Sequence, residues 1–206
     1  MIRIYHFVVG MISTNCYLIE DEATGALAVI DPGDECPELY AQIDKMGGRL
    51  DYLLLTHGHY DHILGAAELC KRYHPTVCAC EDEMELLQNG LYNRTSVHNI
   101  RLNAFSVDRM LHDGDTVVLG ESTLTFIHTP GHTAGSGCYL VDDLMFSGDT
   151  IFCESIGRTD FETSDHGDMM RSVARIKALD VDYNIFPGHG MFTTLEHERK
   201  YNPFMR

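Results

Sequence analysis

The sequence predicts an α+β fold in which two β-sheets face each other and helices cover their outer sides. Hairpin-like pairs of short segments occur within residues 1–56 and again within 116–147. Helix-like segments are interspersed in both halves instead of gathering at one end. Of 206 residues, 44% are hydrophobic, enough for one continuous core, so one domain over residues 1–206 is expected.

The chain opens with three β-like segments, Ile2–Val9, Cys16–Glu20 and Ala26–Ile30, rich in Ile, Val, Tyr and Leu and separated by Ser, Thr, Asn, Asp and Gly. After the turn Asp31-Pro32-Gly33, Glu38–Met46 has a helical pattern that stops at Gly47-Gly48. Tyr52–Leu55 is a short, nearly continuous apolar run, the pattern of a strand covered on both faces, and leads into His57. A helix over Ile63–Tyr73 follows. Cys78-Ala79-Cys80 fits a strand whose cysteines are small buried hydrophobes. Residues 89–113 carry no clear pattern. Thr116–Leu119 and Thr123–His128 flank Gly120-Glu121, a Gly-first pair suited to a type II′ hairpin. Gly137–Val141 and Leu144–Ser147 are further strands. Met169, Val173 and Ile176 mark an amphipathic helix ending near Leu179, and Tyr183–Phe186 is the last strand.

Fifteen Lys+Arg against 31 Asp+Glu leave a formal net charge of −16, which repels a phosphate backbone, so no nucleic-acid partner is expected. No apolar run approaches the roughly 18 residues that span a bilayer, and no membrane partner is expected. Seven cysteines is an odd count and no signal-like segment opens the chain, which points to the cytoplasm rather than to a secreted disulfide scaffold. The expected partner is a small-molecule substrate.

His57-Gly58-His59-Tyr60-Asp61-His62 sets four potential metal ligands in six residues between an apolar strand and a helix. Imidazole and carboxylate suit Zn, Fe or Mn. In an extended stretch His57 and His59 project together, while Asp61 and His62, entering the helix, can face a second ion. Three more segments leave a strand through glycine: Pro130-Gly131-His132, Ser147-Gly148-Asp149 and Pro187-Gly188-His189. Glycine lets the backbone leave the sheet sharply, and the strand behind makes the loop rigid. His128 reads as a strand residue. His6, His74, His98, His112, His166 and His197 lack this setting and read as solvated or hydrogen-bonded.

With its HxHxDH motif followed by separate His, Asp and His residues, the chain resembles the metallo-β-lactamase superfamily. The resemblance implies a four-layer αββα sandwich and two divalent metal ions, zinc first and iron or manganese otherwise. His57, His59 and His132 would hold one ion, Asp61, His62 and His189 the other, with Asp149 bridging. An aspartate at position 149 resembles the thioesterase branch, whereas zinc β-lactamases generally place Cys or another residue there. The flavodiiron branch places Glu where His59 stands. Thr14–Ile19, Gly157–Phe161, Thr193–Leu195 and Asn202–Phe204 are similar to segments of small glyoxalase II-like proteins. Two-domain glyoxalase II adds a C-terminal helical domain that helps bind glutathione, whereas here only residues 190–206 follow His189.

The expected activity is metal-dependent hydrolysis. A metal-bridging hydroxide, formed because two metals lower the pKa of a shared water toward about 7, would attack a thioester such as S-lactoylglutathione, with Asp61 orienting it. Arg158 is the candidate to clamp an anionic substrate group; its alternative is an ion pair with Asp160. Persulfide dioxygenases share the Gly157–Phe161 segment and use a single iron, so oxygen chemistry is one alternative. A lactonase and a metal-binding module with closed coordination are the others.

Overall fold

Alternation along the strands decides which layer each side chain joins. The structure is a computed structural model and describes residues 1–206. Its first half contains β1 (Ile2–Val9), β2 (Thr14–Asp21), β3 (Ala26–Ile30), α1 (Pro37–Lys45), β4 (Tyr52–Leu54), α2 (Tyr60–Ile63), α3 (Ala66–Tyr73), β5 (Thr76–Cys80), α4 (Met84–Gln88), α5 (Thr95–His98) and β6 (Arg109–Leu111). The six strands form one sheet in chain order, antiparallel from β1 to β3 and parallel from β3 to β6. The second half contains β7 (Thr116–Leu119), β8 (Ser122–His128), β9 (Gly137–Val141), β10 (Leu144–Gly148), the small hairpin β11 (Ile151–Phe152) and β12 (Ser155–Ile156), α6 (His166–Lys177), β13 (Asn184–Pro187), β14 (Thr193–Thr194) and α7 (Leu195–Tyr201). Its sheet runs β14-β13-β10-β9-β8-β7, with β10 and β13 the parallel pair.

On β2, Cys16 and Leu18 face α1 and α3, packing with Leu39, Ile43 and Leu69. The intervening Tyr17 and Ile19 turn inward and join Leu124, Phe126, Tyr139 and Phe146 of the second sheet. Ile127, Cys138, Met145 and Ile185 face the other way, onto Met169, Val173 and Ile176 of α6. Three apolar layers therefore separate four structural layers, the expected αββα sandwich. Both faces of β2 and β4 are covered, which accounts for their unbroken apolar runs.

Gly120 sits at φ +62° while Glu121 stays out of the left-handed region, as a type II′ turn requires. Two readings differ from the sequence. The helix expected over Ile63–Tyr73 is split at Leu64-Gly65, because Gly65 packs against the Pro32–Asp34 backbone and donates to Pro32 O at 2.8 Å; a Cβ there would strike Asp34. Residues 89–113 contain the one-turn helix α5 and the edge strand β6, both too short for a periodic signal.

Several hydrogen bonds join the two sheets at the strand ends leading into His57 and His189. Tyr17 OH donates to Pro187 O at 2.6 Å, Tyr139 OH to Leu55 O at 3.0 Å, and Gly137 N to Thr56 O at 2.9 Å. Asn15 N donates to Gly188 O at 2.7 Å, and within the second sheet Gly188 N donates to Gly148 O at 2.8 Å. Strand ends from both sheets are held together there.

Candidate metal centre

The loops leaving β4, β8, β10 and β13 bring all seven expected ligands to these strand ends. Ligand atoms of His57, His59 and His132 lie within 4.8 Å of one another, as do those of Asp61, His62 and His189. His59 Nδ1 stands 2.9 Å from His132 Nε2, and His62 Nε2 stands 3.4 Å from His189 Nε2. Asp149 lies between the groups, with Oδ2 at 3.4 Å from His132 and 3.6 Å from His189 and Oδ1 at 3.4 Å from His62. Five of the seven are buried, while Asp149 and His189 are partly exposed.

The donor set fits a pair of cations. His57 Nε2, His59 Nε2 and Asp149 Oδ1 are buried with no hydrogen-bond partner, a cost that a native interior seldom leaves uncompensated. Burial holds the His57 imidazole well below its ordinary pKa and His59 down at about 3, so both present neutral lone pairs; His132 is lowered for the same reason. Burial would push Asp149 up, but the facing His62, His132 and His189 outweigh it and hold the carboxyl at about 2. Burial likewise opposes an ionised Asp61, but the facing His62 and His189 outweigh it and hold the carboxyl well below its usual range. Burial also opposes a charged His62, yet the carboxylates of Asp61, Asp149 and Asp31 draw it upward, toward a proton whose place a bound cation would take.

Supporting contacts orient the rings. His62 Nδ1 donates to Asp31 Oδ2 at 2.9 Å, leaving Nε2 to face the site. Asp31, at φ +49°, also accepts from Thr56 N at 2.8 Å and Thr56 Oγ1 at 2.6 Å. His132 Nδ1 donates to the Arg158 carbonyl at 2.9 Å. Such carboxylate–imidazole and carbonyl–imidazole pairs fix the tautomer of a ligating histidine. Glu83, 1% exposed, accepts from Gly58 N at 2.8 Å, Gly135 N at 2.8 Å and Thr133 Oγ1 at 3.0 Å, tying the His57–His59 loop to the His132 loop.

Asp31 and Glu83 were missed by sequence reasoning. Asp31 had a usable signal, since it is an acid at a strand end before Pro-Gly, like the ligands themselves. Glu83 had none, because it sits in a polar run outside any period. Of the histidines read as solvated or hydrogen-bonded, His6 contacts Asn15 Oδ1 at 2.8 Å, His112 contacts Glu81, His166 contacts Thr159 and His197 contacts Glu154. His98 instead lines the cleft over the site. His128 closes β8, with Nε2 donating to Ala134 O at 2.8 Å. Arg158 lines the cleft but is 67% exposed and forked onto Asp160 at 2.9 and 2.7 Å.

The cleft measures about 500 Å³ and has Ile12, Phe152, Ile156 and Phe161 as apolar walls, with Asp61, His132, Asp149 and His189 also reaching it. A sandwich of two sheets with histidine and aspartate clusters where their strand ends meet defines the metallo-hydrolase class of the metallo-beta-lactamase fold. The profile of the metallo-beta-lactamase superfamily matches residues 9–189, and the chain belongs to that superfamily. It is 33% identical over 196 residues to the hydroxyacylglutathione hydrolase GloC of Haemophilus influenzae, covering 93% of this chain and 92% of the relative. Among solved structures it is similar to the BLEG-1 B3 metallo-beta-lactamase, with TM-score 0.90 and 30% identity, covering 100% of this chain and 99% of that one. It is also similar to TTHA1623 in a di-iron-bound form, with TM-score 0.85 and 30% identity, covering 97% and 99%.

Proposed function

We propose that the protein is a metal-dependent hydrolase of thioesters, with S-lactoylglutathione as the type substrate and two divalent ions, zinc first and iron or manganese otherwise, as cofactors. The observation that carries this reading is the pair of ligand groups joined by Asp149 at the floor of an open, partly apolar cleft. His57, His59 and His132 would hold one ion, Asp61, His62 and His189 the other, with Asp149 between them. When bound, such ions supply Lewis acidity toward a carbonyl and lower the pKa of water toward about 7.

The chain's own residues supply the rest. Asp61 Oδ2 accepts from Thr14 Oγ1 at 3.3 Å and lies 3.2 Å from His189, so a carboxylate is held in place to orient an attacking water. Ile12, Phe152, Ile156 and Phe161 exclude solvent around an acyl group. A thiolate leaves without strong general-acid help, which matches a cleft whose acids are the expected metal ligands. Similarity to GloC supports a thioester substrate, while similarity to BLEG-1 favours a second reading, β-lactam hydrolysis.

Purified protein, analysed for bound metal, is expected to carry two ions per chain and to hydrolyse S-lactoylglutathione in a metal-dependent way, without oxygen uptake on glutathione persulfide. Turnover of a chromogenic cephalosporin or a lactone with no thioester hydrolysis would reassign the substrate. One iron per chain with oxygen consumption would replace the hydrolase by a persulfide dioxygenase.

A further inference from the structure

The cleft holds a second cation that sequence reasoning did not single out. Arg94 lines it, its side chain is 20% exposed, and its guanidinium carbon lies 4.3 Å from the centre of the Phe161 ring. Phe161 in turn stands edge-on to His59 at 5.2 Å and to His132 at 5.7 Å, so one aromatic ring separates Arg94 from the candidate metal centre. Arg158 approaches the same ring at 4.4 Å, but Asp160 occupies its fork. The Arg94 fork makes no hydrogen bond. Its one ion pair, with Glu162 at 3.6 Å, is longer than a hydrogen bond and involves a carboxylate 42% exposed.

The backbone around Arg94 is built to hold it there. Arg94 adopts φ +69°, a left-handed conformation costly for an arginine. The preceding Asn93, 2% exposed, fixes this turn: its Oδ1 accepts from Thr95 N at 3.1 Å and Thr95 Oγ1 at 2.8 Å, and its Nδ2 donates to Leu87 O at 3.2 Å. Asn93 O accepts from Tyr60 N at 2.9 Å, so the loop is anchored to the segment that carries the expected ligands. A left-handed residue on an anchored loop thus presents to the cleft a guanidinium that stacks on Phe161 and makes no hydrogen bond.

We propose that Arg94 is the anion-binding residue of this cleft, and that it selects substrates carrying a carboxylate on the part remote from the scissile bond. The proposal rests on the thioesterase reading for the identity of that bond, not for the existence of the anion site. Planar, permanently charged guanidinium pairs bidentately with carboxylate. Phe161 supports its face and shields it from solvent. Competition from Glu162 is weak because of its distance and exposure, so an incoming carboxylate displaces little.

The test compares wild type with Arg94→Asn, which removes the charge while tolerating the left-handed backbone, and with Glu162→Gln. Calorimetry with the non-hydrolysable thioether S-hexylglutathione reads the site without turnover. Binding is expected to weaken at least tenfold in Arg94→Asn, to strengthen in Glu162→Gln, and to be nearly unaffected by Arg94→Asn when the ligand's carboxylates are esterified. In steady-state assays KM for S-lactoylglutathione should rise with kcat kept, while a neutral thioester, S-lactoyl-N-acetylcysteamine, is unaffected. Equal losses for charged and neutral ligands, or none for the charged one, would overturn the proposal. If no thioester is hydrolysed yet the charge-dependent binding is lost in Arg94→Asn, the anion site stands and the thioesterase reading falls.

Discussion

Glu83 shows how much a single buried carboxyl can govern away from the reacting groups. Burial pushes it up to about 7, against the N–H groups of Gly58 and Gly135 and the Thr133 hydroxyl that lower it. The folded protein therefore binds a proton more tightly at this position than the unfolded chain, whose glutamate titrates near 4.5. As pH rises from about 4.5 through about 7, this group costs the folded state on the order of 3 kcal/mol at completion. Urea unfolding of wild type and Glu83→Gln at fixed metal concentration measures the effect: the stability of wild type relative to the variant should fall across that window and level off above it. A difference that stays flat with pH would show that Glu83 titrates alike in both states. Asp31 acts at the same scale, since one carboxylate meets both His62 and the Thr56 backbone where β4 hands over to the ligand loop.

Elements contribute by letting backbones approach closely. The turn after β13 runs beside Asp149, and a Cβ at Gly188 would overlap Asp149 Oδ1 and come within 2.7 Å of His62 Cε1. Gly188→Ala should therefore leave the circular dichroism of the fold in place but weaken metal binding by about 10–100-fold, the range for disturbed ligand support. Equilibrium dialysis followed by metal analysis checks this, and two ions retained at wild-type affinity would contradict it. Helix α6 supports the same region from outside. Asp165 caps it by accepting from Asp168 N at 2.7 Å, Asp165 N donates to Gly131 O at 3.0 Å, and Ser172 Oγ donates to Pro130 O at 2.7 Å, so the helix N-terminal half is fastened to the His132 loop.

At the scale of the molecule, the candidate centre lies where two sheets are joined, so its occupancy should be felt as stability. At free metal about 100 times the dissociation constant, binding to the folded state alone adds about 2.7 kcal/mol. For a chain of this size that is roughly 5–10 °C, and chelation should lower the melting temperature by about that much, reversibly on adding metal back. An unchanged transition after complete metal removal would show that the ligand loops are held by their hydrogen bonds alone. The sequence by itself determined the layer order and the seven converging side chains. Both are written in local chemistry: period-two alternation sets the sheet faces, four of the side chains lie within the His57–His62 segment, and the other three each follow a strand-end glycine. Only the tertiary structure decided that Asp31 and Glu83 brace the ligand loops, that the Arg158 carbonyl orients His132, and that Arg94 reaches the cleft without a hydrogen-bonded partner while Asp160 occupies the Arg158 fork. These contacts join residues distant in the chain, several through backbone atoms that every residue possesses, and no spacing or composition encodes a partner that folding alone brings within reach.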